Sequence, residues 1–208
     1  MTGPPYHRSV WRLTLERALR PLRTAIAGSD IVRWRRVEAE TPLWDGRNAL
    51  IAALVPDGSR VLDLGSGAGT LGRRLEGRCV YQACDLLPRG PGSLLFDFNR
   101  GIWPAVGSDW DWAVLSGVLE YARDPRSLLA FASRTAAQVI VSYSPYRAGT
   151  RILRGLNGWV NTFTEPELLG LFSELGLDAR CASKWQDQPI FVLGRRQDSE
   201  LQPRAAAR

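Results

Sequence analysis

Histidine is almost absent from this chain, since the single one, His7, lies near the N-terminus. A histidine-based metal site, a Ser-His-Asp triad and a Cys-His pair are therefore not expected. Cysteine is also scarce: Cys79, Cys84 and Cys181 are odd in number and sit among apolar residues. This usage disfavours a disulfide scaffold and fits a reducing, cytoplasmic compartment.

Long apolar runs are missing too. No stretch of about 18 apolar residues occurs, so no transmembrane helix is expected. The N-terminal segment lacks an apolar core followed by a small-residue cleavage site, so no secretory signal peptide is expected. The chain has 208 residues, of which 45% are apolar and 23% are charged, enough for one sizeable core.

The net charge of +6 is concentrated at the two ends of the chain. Residues 1–40 hold eight arginines against four acidic residues, residues 41–194 are neutral, and residues 195–208 carry +2. An enzyme that acts on nucleic acid usually carries positive charge around its active cleft. The distribution therefore disfavours nucleic acid as a partner.

The basic N-terminal region contains a predicted amphipathic helix over residues 9–27. Trp11, Leu15 and Leu22 share one face at helical spacing, and arginines occupy the other. We expect residues 1–40 to form a lid or docking element, residues 41–195 one domain, and residues 196–208 a disordered tail. Permanent packing of the helix on the body, and peripheral contact with an anionic membrane, are the alternatives.

Strands and helices alternate through the body of the chain, which predicts an α/β fold with helices on both faces of a largely parallel sheet. The connection after the second strand, Leu86–Ser93, contains two prolines and two glycines and is too irregular for a crossover helix. The predicted helices are 41–54, 70–75, one opening at 124–125, and 165–175. The predicted strands are 60–64, 79–84, 94–97, 112–116, 138–143, 179–184 and 189–194.

The strongest motif is Val61-Leu-Asp-Leu-Gly-Ser-Gly-Ala-Gly69, in which a strand runs into a glycine loop and then a helix. Such a loop brings backbone close to a ligand and offers free N–H groups, so it could serve NAD, FAD or another nucleotide. The G-x-G-x-G spacing, with no Lys-Ser/Thr pair after it, excludes a P-loop. Two acids favour a nucleoside ligand: Asp63 inside the strand, and Asp85 at the end of the next.

With these motifs, the sequence resembles class I S-adenosylmethionine-dependent methyltransferases. The runs Asp97-Phe-Asn-Arg-Gly-Ile and Val114-Leu-Ser-Gly-Val-Leu-Glu-Tyr are similar to the small methionine-biosynthesis protein W group. The resemblance implies a Rossmann-like, seven-stranded sheet whose final strand is antiparallel, and S-adenosyl-L-methionine as cofactor. The implied cofactor-binding residues are Asp63, Gly65, Ser66, Gly67, Gly69, Asp85, Asp97, Phe98 and Ser116.

The resemblance implies which part of the cofactor each of these residues would contact. Asp63 would lie near the amino group, the glycine loop beneath the methionine part, and Asp85 at the ribose. Asp97 and Phe98 would meet the adenine, and Ser116 the methyl sulfonium. Capping of local turns is the alternative for Asp85 and Asp97.

The acceptor side is less defined by the sequence. Leu119-Glu120-Tyr121 resembles the family's frequent Leu-Glu-His, with tyrosine in place of histidine. For an alcohol or amine acceptor that needs a base, the candidates are Glu120, Tyr121 and Tyr143, because His7 is remote. Tyr146 and Asn161 are candidate substrate contacts. The place after the fourth strand lacks the Asn/Asp-Pro-Pro-Tyr/Phe signature of amino methyltransferases acting on DNA bases or glutamine.

We therefore expect methyl transfer to a small molecule or to a glycan or envelope precursor. The alternative is a cofactor-binding partner that regulates or scaffolds another enzyme. The sequence does not give the oligomeric state.

Overall fold

The computed structural model describes residue 34 and residues 41–196; in the helix that begins at Thr41, side chains are described from Trp44 onward. The predicted helix over residues 9–27, and residues 197–208 of the predicted tail, lie outside this range; Arg196, the first residue of that tail, is described and donates to Asp178 Oδ1 at 3.0 Å. Within it, no helix is both long enough and apolar enough to cross a membrane.

One seven-stranded sheet forms the centre of the molecule, in the order β3-β2-β1-β4-β5-β7-β6. Neighbouring strands are parallel except for β7, which runs antiparallel to both β5 and β6. The predicted fold class, including the antiparallel final strand, is confirmed. The strands are β1 (Arg60–Leu64), β2 (Val80–Asp85), β3 (Leu94–Leu95), β4 (Trp110–Ser116), β5 (Ala136–Ser142), β6 (Leu177–Trp185) and β7 (Gln188–Arg195).

Five α-helices flank this sheet in the described part of the chain. Two 3-10 turns, Phe98–Arg100 and Leu119–Tyr121, follow β3 and β4. The connection from β2 to β3 holds no helix, as the sequence predicted. The helices are α1 (Thr41–Leu54), α2 (Thr70–Leu75), α3 (Pro125–Thr135), α4 (Arg151–Asn157) and α5 (Glu165–Glu174). Of these, α4 is absent from the sequence prediction.

Local sequence signals explain where two of the helices begin. The side chain of Asp124 accepts a hydrogen bond from the Ser127 N–H, and Pro125 fills the first turn of α3. Thr164 and Glu167 form a reciprocal capping box at the start of α5. Both caps satisfy backbone N–H groups that helix starts leave unpaired.

The core has two layers because alternate side chains of the strands point to opposite faces. On one face, Val61 and Val114 pack with Ile51 of α1 and Leu71 of α2. On the other face, the strands pack with apolar residues of α3 and α5. Both faces are thus covered, which buries β1 and β4 and fixes their carboxyl ends relative to each other.

The cysteines differ from the prediction in one respect. All three are free, but Cys181 is exposed and Cys79 only half-buried, so of the three only Cys84 lies in an apolar interior. Cys181 is exposed because it lies on β6, the edge strand of the sheet.

Candidate functional site

A cavity of about 410 Å³ opens at the carboxyl ends of the parallel strands. The strand order reverses between β1 and β4, and ligands of open α/β sheets bind outside such a switch point. The cavity is lined by the glycine loop after β1, the end of β2, the turn after β3 and the turn after β4. It therefore brings together four segments that are far apart in sequence.

The glycine loop owes its shape to backbone angles that other residues rarely adopt. Gly65, Gly67 and Gly69 have positive φ values of 97°, 54° and 71°. A side chain at Gly65 would also place its Cβ 2.5 Å from Val118. Gly65, Ser66 and Gly67 line the cavity, whereas Gly69 caps the start of α2 and does not.

Asp63 is a buried carboxylate at the floor of the cavity, only 2% exposed. Its Oδ2 accepts a hydrogen bond from the Tyr81 hydroxyl at 2.5 Å, and its Oδ1 has no partner among the described residues. Burial raises the pKa of Asp63 to about 7; the Tyr81 bond opposes this shift, the charge of Asp85 adds to it, and Arg47 opposes it. A donor or cation from a ligand would satisfy the free oxygen.

Asp85 ends β2 and reaches back to the glycine loop. Its Oδ2 accepts from the Gly67 N–H at 2.7 Å and its Oδ1 from the Leu87 N–H at 3.0 Å. Burial raises its pKa, and these backbone hydrogen bonds oppose the shift. The carboxylate thus fixes the loop and lines the cavity at the same time.

Asp97 and Phe98 form the third wall, in the turn after β3. Asp97 Oδ1 accepts from the Arg100 N–H at 3.2 Å, so the side chain does start the local turn. Its Oδ2 is buried without a partner among the residues described, as is Oδ1 of Asp63. The ring of Phe98 packs on Phe96 at 5.4 Å between centroids, and both residues line the cavity.

Arg47 is a site residue that the sequence prediction missed. It is 7% exposed, and it donates to the Ser116 carbonyl at 3.2 Å and to Gln188 Oε1 at 3.1 Å. Its guanidinium lies over the rings of Trp44 and Trp185, at 5.9 Å and 5.7 Å. Burial lowers its pKa, and the charge of a nearby carboxylate, Glu120, is the largest effect opposing that shift.

Ser116 ends β4 beside this arginine. Its hydroxyl donates to Asn48 Oδ1 at 2.8 Å, and both residues line the cavity. Gly117, which follows, has a φ of 65°, and a side chain there would collide with the Arg47 guanidinium. The close approach of α1 to the end of β4 therefore depends on a glycine.

Glu120 is buried in the cavity wall, with 1% exposure. Its Oε1 accepts from the Ser144 N–H at 2.8 Å, and its Oε2 has no partner within the described range. Burial raises its pKa, which its backbone hydrogen bonds and the charges of Arg47 and Arg154 oppose. A buried carboxylate with a raised pKa is a suitable proton acceptor.

Tyr121 lines the cavity within a group of aromatic rings. Its hydroxyl accepts from Trp159 Nε1 at 3.0 Å, and its ring meets Trp34 edge-on at 5.1 Å between centroids. Trp34 in turn packs against Trp44 at 6.1 Å. All four rings line the cavity.

Besides Gly69, three predicted site residues do not line the cavity. Tyr143 is fully buried in the core, where its hydroxyl accepts from Arg154 Nη2 at 2.9 Å and from the Phe163 N–H at 3.1 Å, and burial raises its pKa to about 12. The Asn161 amide donates to the carbonyls of the turn after β4 at 2.6 Å and 2.8 Å. Tyr146 is half-buried and pairs with Phe163 through its backbone N–H. The structure thus places all three in the framework behind the site.

Comparison with known proteins gives one family match. Residues 47–152, about half of the chain, match the model of the methionine biosynthesis protein MetW family. No curated protein matches the chain significantly. The matched region contains Arg47, the glycine loop and the three carboxylates Asp63, Asp85 and Asp97. Trp34, Trp44 and Trp159, which also line the cavity, lie outside it.

Solved structures of methyltransferases share the fold. The complex between the Haloferax volcanii Trm112 methyltransferase activator and a methyltransferase matches with a TM-score of 0.61 at 16% identity, covering 81% of this chain and 96% of that one. A protein from Nostoc punctiforme that is assigned as an O-methyltransferase also gives 0.61, at 18% identity over 78% and 60% of the two chains. The Burkholderia thailandensis 1,6-didemethyltoxoflavin-N1-methyltransferase, solved with its acceptor and S-adenosylhomocysteine, gives 0.54 at 15% identity over 95% and 92%.

Proposed function

Because the chain belongs to the methionine biosynthesis protein MetW family, we propose that it is a methyltransferase that binds S-adenosylmethionine in the cavity at the β1/β4 switch point. One observation carries the proposal: three buried carboxylates, at or near the ends of three successive strands, line the same cavity as the glycine loop. These are Asp63, Asp85 and Asp97. Burying acids together is costly unless a ligand with donors or positive charge compensates them.

The donors of this cofactor suit the acids in number and chemical kind. The free Oδ1 of Asp63 would accept from the ammonium of the methionine part, and Asp85 would accept from the ribose hydroxyls. The free Oδ2 of Asp97 would accept from the adenine amino group, with Phe98 against the ring. Each assignment uses a carboxylate that already lines the cavity.

The bound cofactor would supply a methyl group on an electrophilic sulfonium, so the protein's task is to orient the acceptor and exclude water. Glu120 is the residue that would hold the acceptor's proton, because its Oε2 is buried and lacks a partner among the described residues. Tyr121 shapes the same wall. Tyr143 takes no part, since Arg154 and a backbone N–H already occupy its hydroxyl.

A small-molecule acceptor, or a glycan or envelope precursor, suits this site better than nucleic acid. Residues 41–194, which supply all of the described cavity lining except Trp34, carry no net charge, whereas enzymes that act on nucleic acid usually carry excess positive charge around the cleft. The Burkholderia thailandensis relative in fold binds a small molecule, 1,6-didemethyltoxoflavin. That likeness supports a small acceptor without identifying it.

Transfer of labelled methyl groups from S-adenosylmethionine into fractionated metabolite extracts tests the activity. We expect the wild-type chain to label an acceptor and the Glu120→Gln variant, which keeps the shape but not the basic oxygen, to label it far more slowly. The second candidate, a cofactor-binding partner of another enzyme, predicts no labelling and co-purification of a stoichiometric enzyme. That result would contradict the proposed activity.

We propose further that residues 1–40 act as a lid over the acceptor side, because Trp34 lines the cavity and contacts Tyr121. A chain without residues 1–30 should then fold, bind S-adenosylhomocysteine and lose methyl transfer. Insoluble protein would favour permanent packing of this segment on the body, and full activity would exclude the lid.

A further inference from the structure

The cavity is divided into two chemically different parts. The carboxylates and the glycine loop lie in the part assigned to the cofactor. The other part contains four aromatic rings and two leucines, here called the acceptor wall, and Asn157 of the same helix as the leucines also lines the cavity. The members of the acceptor wall are Trp34, Trp44, Tyr121, Leu153, Leu156 and Trp159.

From this wall we infer that the methyl acceptor is a planar hydroxyarene, bound by its rings against the acceptor wall with its hydroxyl toward Glu120. The inference rests on the proposed function and adds the acceptor class. It selects a ring compound with one hydroxyl over a glycan.

Few polar side chains on this side could pair with the many hydroxyls of a sugar: Asn157 and the amide N–H groups of Asn48 and Gln188. The side-chain oxygens of Asn48 and Gln188 already accept from Ser116 and Arg47, at 2.8 Å and 3.1 Å. A glycan presents hydroxyls around its whole ring, and each would lose its water when it entered the cavity. A hydroxyarene loses water only at its hydroxyl, and its rings gain contact area and edge-to-face packing.

The rings are also arranged as a corner and not as one flat platform. The planes of Trp34 and Tyr121 are inclined by 79°, and those of Trp34 and Trp44 by 58°. The bond from Trp159 Nε1 to the Tyr121 hydroxyl fixes the tyrosine ring in this corner. A flat arene can pack face-on to one ring and edge-on to the next, the two geometries that aromatic pairs prefer.

The hydroxyl end of the acceptor has one matching group. Glu120 Oε2 is buried and has no partner in the part of the chain that the structure describes, so an acceptor hydroxyl would donate to it. During transfer the acceptor oxygen forms a bond to the methyl carbon as the carbon–sulfur bond breaks. The electron pair of that bond stays on sulfur, and the hydroxyl proton passes to Oε2.

Helix α4 offers variants that test the wall without disturbing the core. Leu153 and Leu156 line the cavity although they are 60% and 43% exposed. Ile152 lies on the same helix, is 78% exposed and does not line the cavity. An aspartate at Leu153 or Leu156 would place a charge against the arene, whereas Ile152→Asp is the matched control.

The test is calorimetric titration of the full chain, first with S-adenosylhomocysteine and then with 2-naphthol or N-acetylglucosamine. We expect 2-naphthol to bind at one site, N-acetylglucosamine not to bind, and Leu153→Asp and Leu156→Asp to weaken 2-naphthol at least about tenfold. Ile152→Asp should bind like wild type, and all variants should bind S-adenosylhomocysteine.

Failure of this inference can be told apart from failure of the proposed function. A chain that binds S-adenosylhomocysteine but not 2-naphthol, or binds 2-naphthol equally in all variants, overturns the acceptor class alone. Binding of N-acetylglucosamine that Leu156→Asp abolishes would assign the wall to sugars and overturn it as well. If the chain does not bind S-adenosylhomocysteine, the proposed function is refuted. The titration with 2-naphthol then still shows whether the acceptor wall binds an arene.

Discussion

Replacing Asp63 with asparagine removes a buried charge while keeping the side chain's size. In the wild-type chain this carboxyl accepts from Tyr81 through one oxygen and leaves the other unpartnered among the described residues. Burial raises its pKa to about 7, so the carboxyl titrates close to neutrality. The affinity for a ligand whose ammonium group faces Asp63 should therefore depend on pH in a range where proteins remain folded.

The size of the effect follows from the pKa. The ionised fraction of Asp63 falls from about nine-tenths near pH 8 to about one-tenth near pH 6. Because the ammonium group favours the ionised form, the affinity for S-adenosylhomocysteine should fall about tenfold over this range. Asp63→Asn should bind more weakly near pH 8, and its affinity should depend less on pH.

The same substitution weakens ligand binding but should favour the folded state as the pH rises toward neutrality. The pKa of Asp63 is raised in the folded state, from 3.8 to about 7, so the folded protein holds the proton more tightly than the unfolded chain does. Stability from this group is present below about pH 4 and is lost as the pH rises to about 7. Over that window the wild type should lose at most about 4 kcal/mol of unfolding free energy relative to Asp63→Asn.

Calorimetric titrations at several pH values measure the affinity, and denaturant unfolding measures the stability. A wild-type affinity for S-adenosylhomocysteine that stays constant between about pH 6 and pH 8 would refute the reasoning. So would an Asp63→Asn variant with the same pH slope as the wild type, since the slope would then come from another group.

Three further substitutions separate binding from framework roles. Asp85→Ala should weaken S-adenosylhomocysteine binding by about ten- to a hundredfold, the cost of a charge-assisted hydrogen bond, and an unchanged dissociation constant in calorimetry would exclude a ribose contact. Tyr143→Phe leaves the buried Arg154 with one acceptor fewer, so thermal unfolding should show about 1–3 kcal/mol less unfolding free energy, while methyl transfer is unchanged. Loss of activity in a folded Tyr143→Phe variant would contradict the framework role. Gly65→Ala, whose Cβ would meet Val118, should lower both the melting temperature and cofactor affinity, and wild-type values would show that the loop tolerates a side chain.

The sheet and the cofactor side could be predicted because their signals are local. The buried strand at Arg60–Leu64 runs directly into the glycines, and Asp85 is identified by its place at the end of the next predicted strand. A parallel βαβ arrangement then brings Asp63 and Asp85 to the same edge of the sheet. The observed strand ends differ from the predicted ones by at most two residues, and every predicted strand is present.

The acceptor side could not be predicted, because its residues meet only through tertiary packing. Arg47 lies in a helix, where an arginine in sequence indicates a solvated face, and nothing local shows that the end of β4 covers it. Helix α4 was missed because its apolar residues, such as Ile152 and Leu153, are exposed and so give no core-facing period. Tyr143 follows β5 at the ligand-binding edge, but sequence cannot distinguish a side chain that enters the cavity from one that enters the core.

The most direct test of the account is calorimetric titration of the full chain with S-adenosylhomocysteine and, separately, with NAD. Both ligands carry adenosine, so the comparison isolates the assignment of the glycine loop and Asp63 to the methionine part of the cofactor. The account predicts that S-adenosylhomocysteine binds at one site, that NAD does not bind, and that Asp85→Ala weakens the first titration. Tight NAD binding with no response to S-adenosylhomocysteine would contradict it.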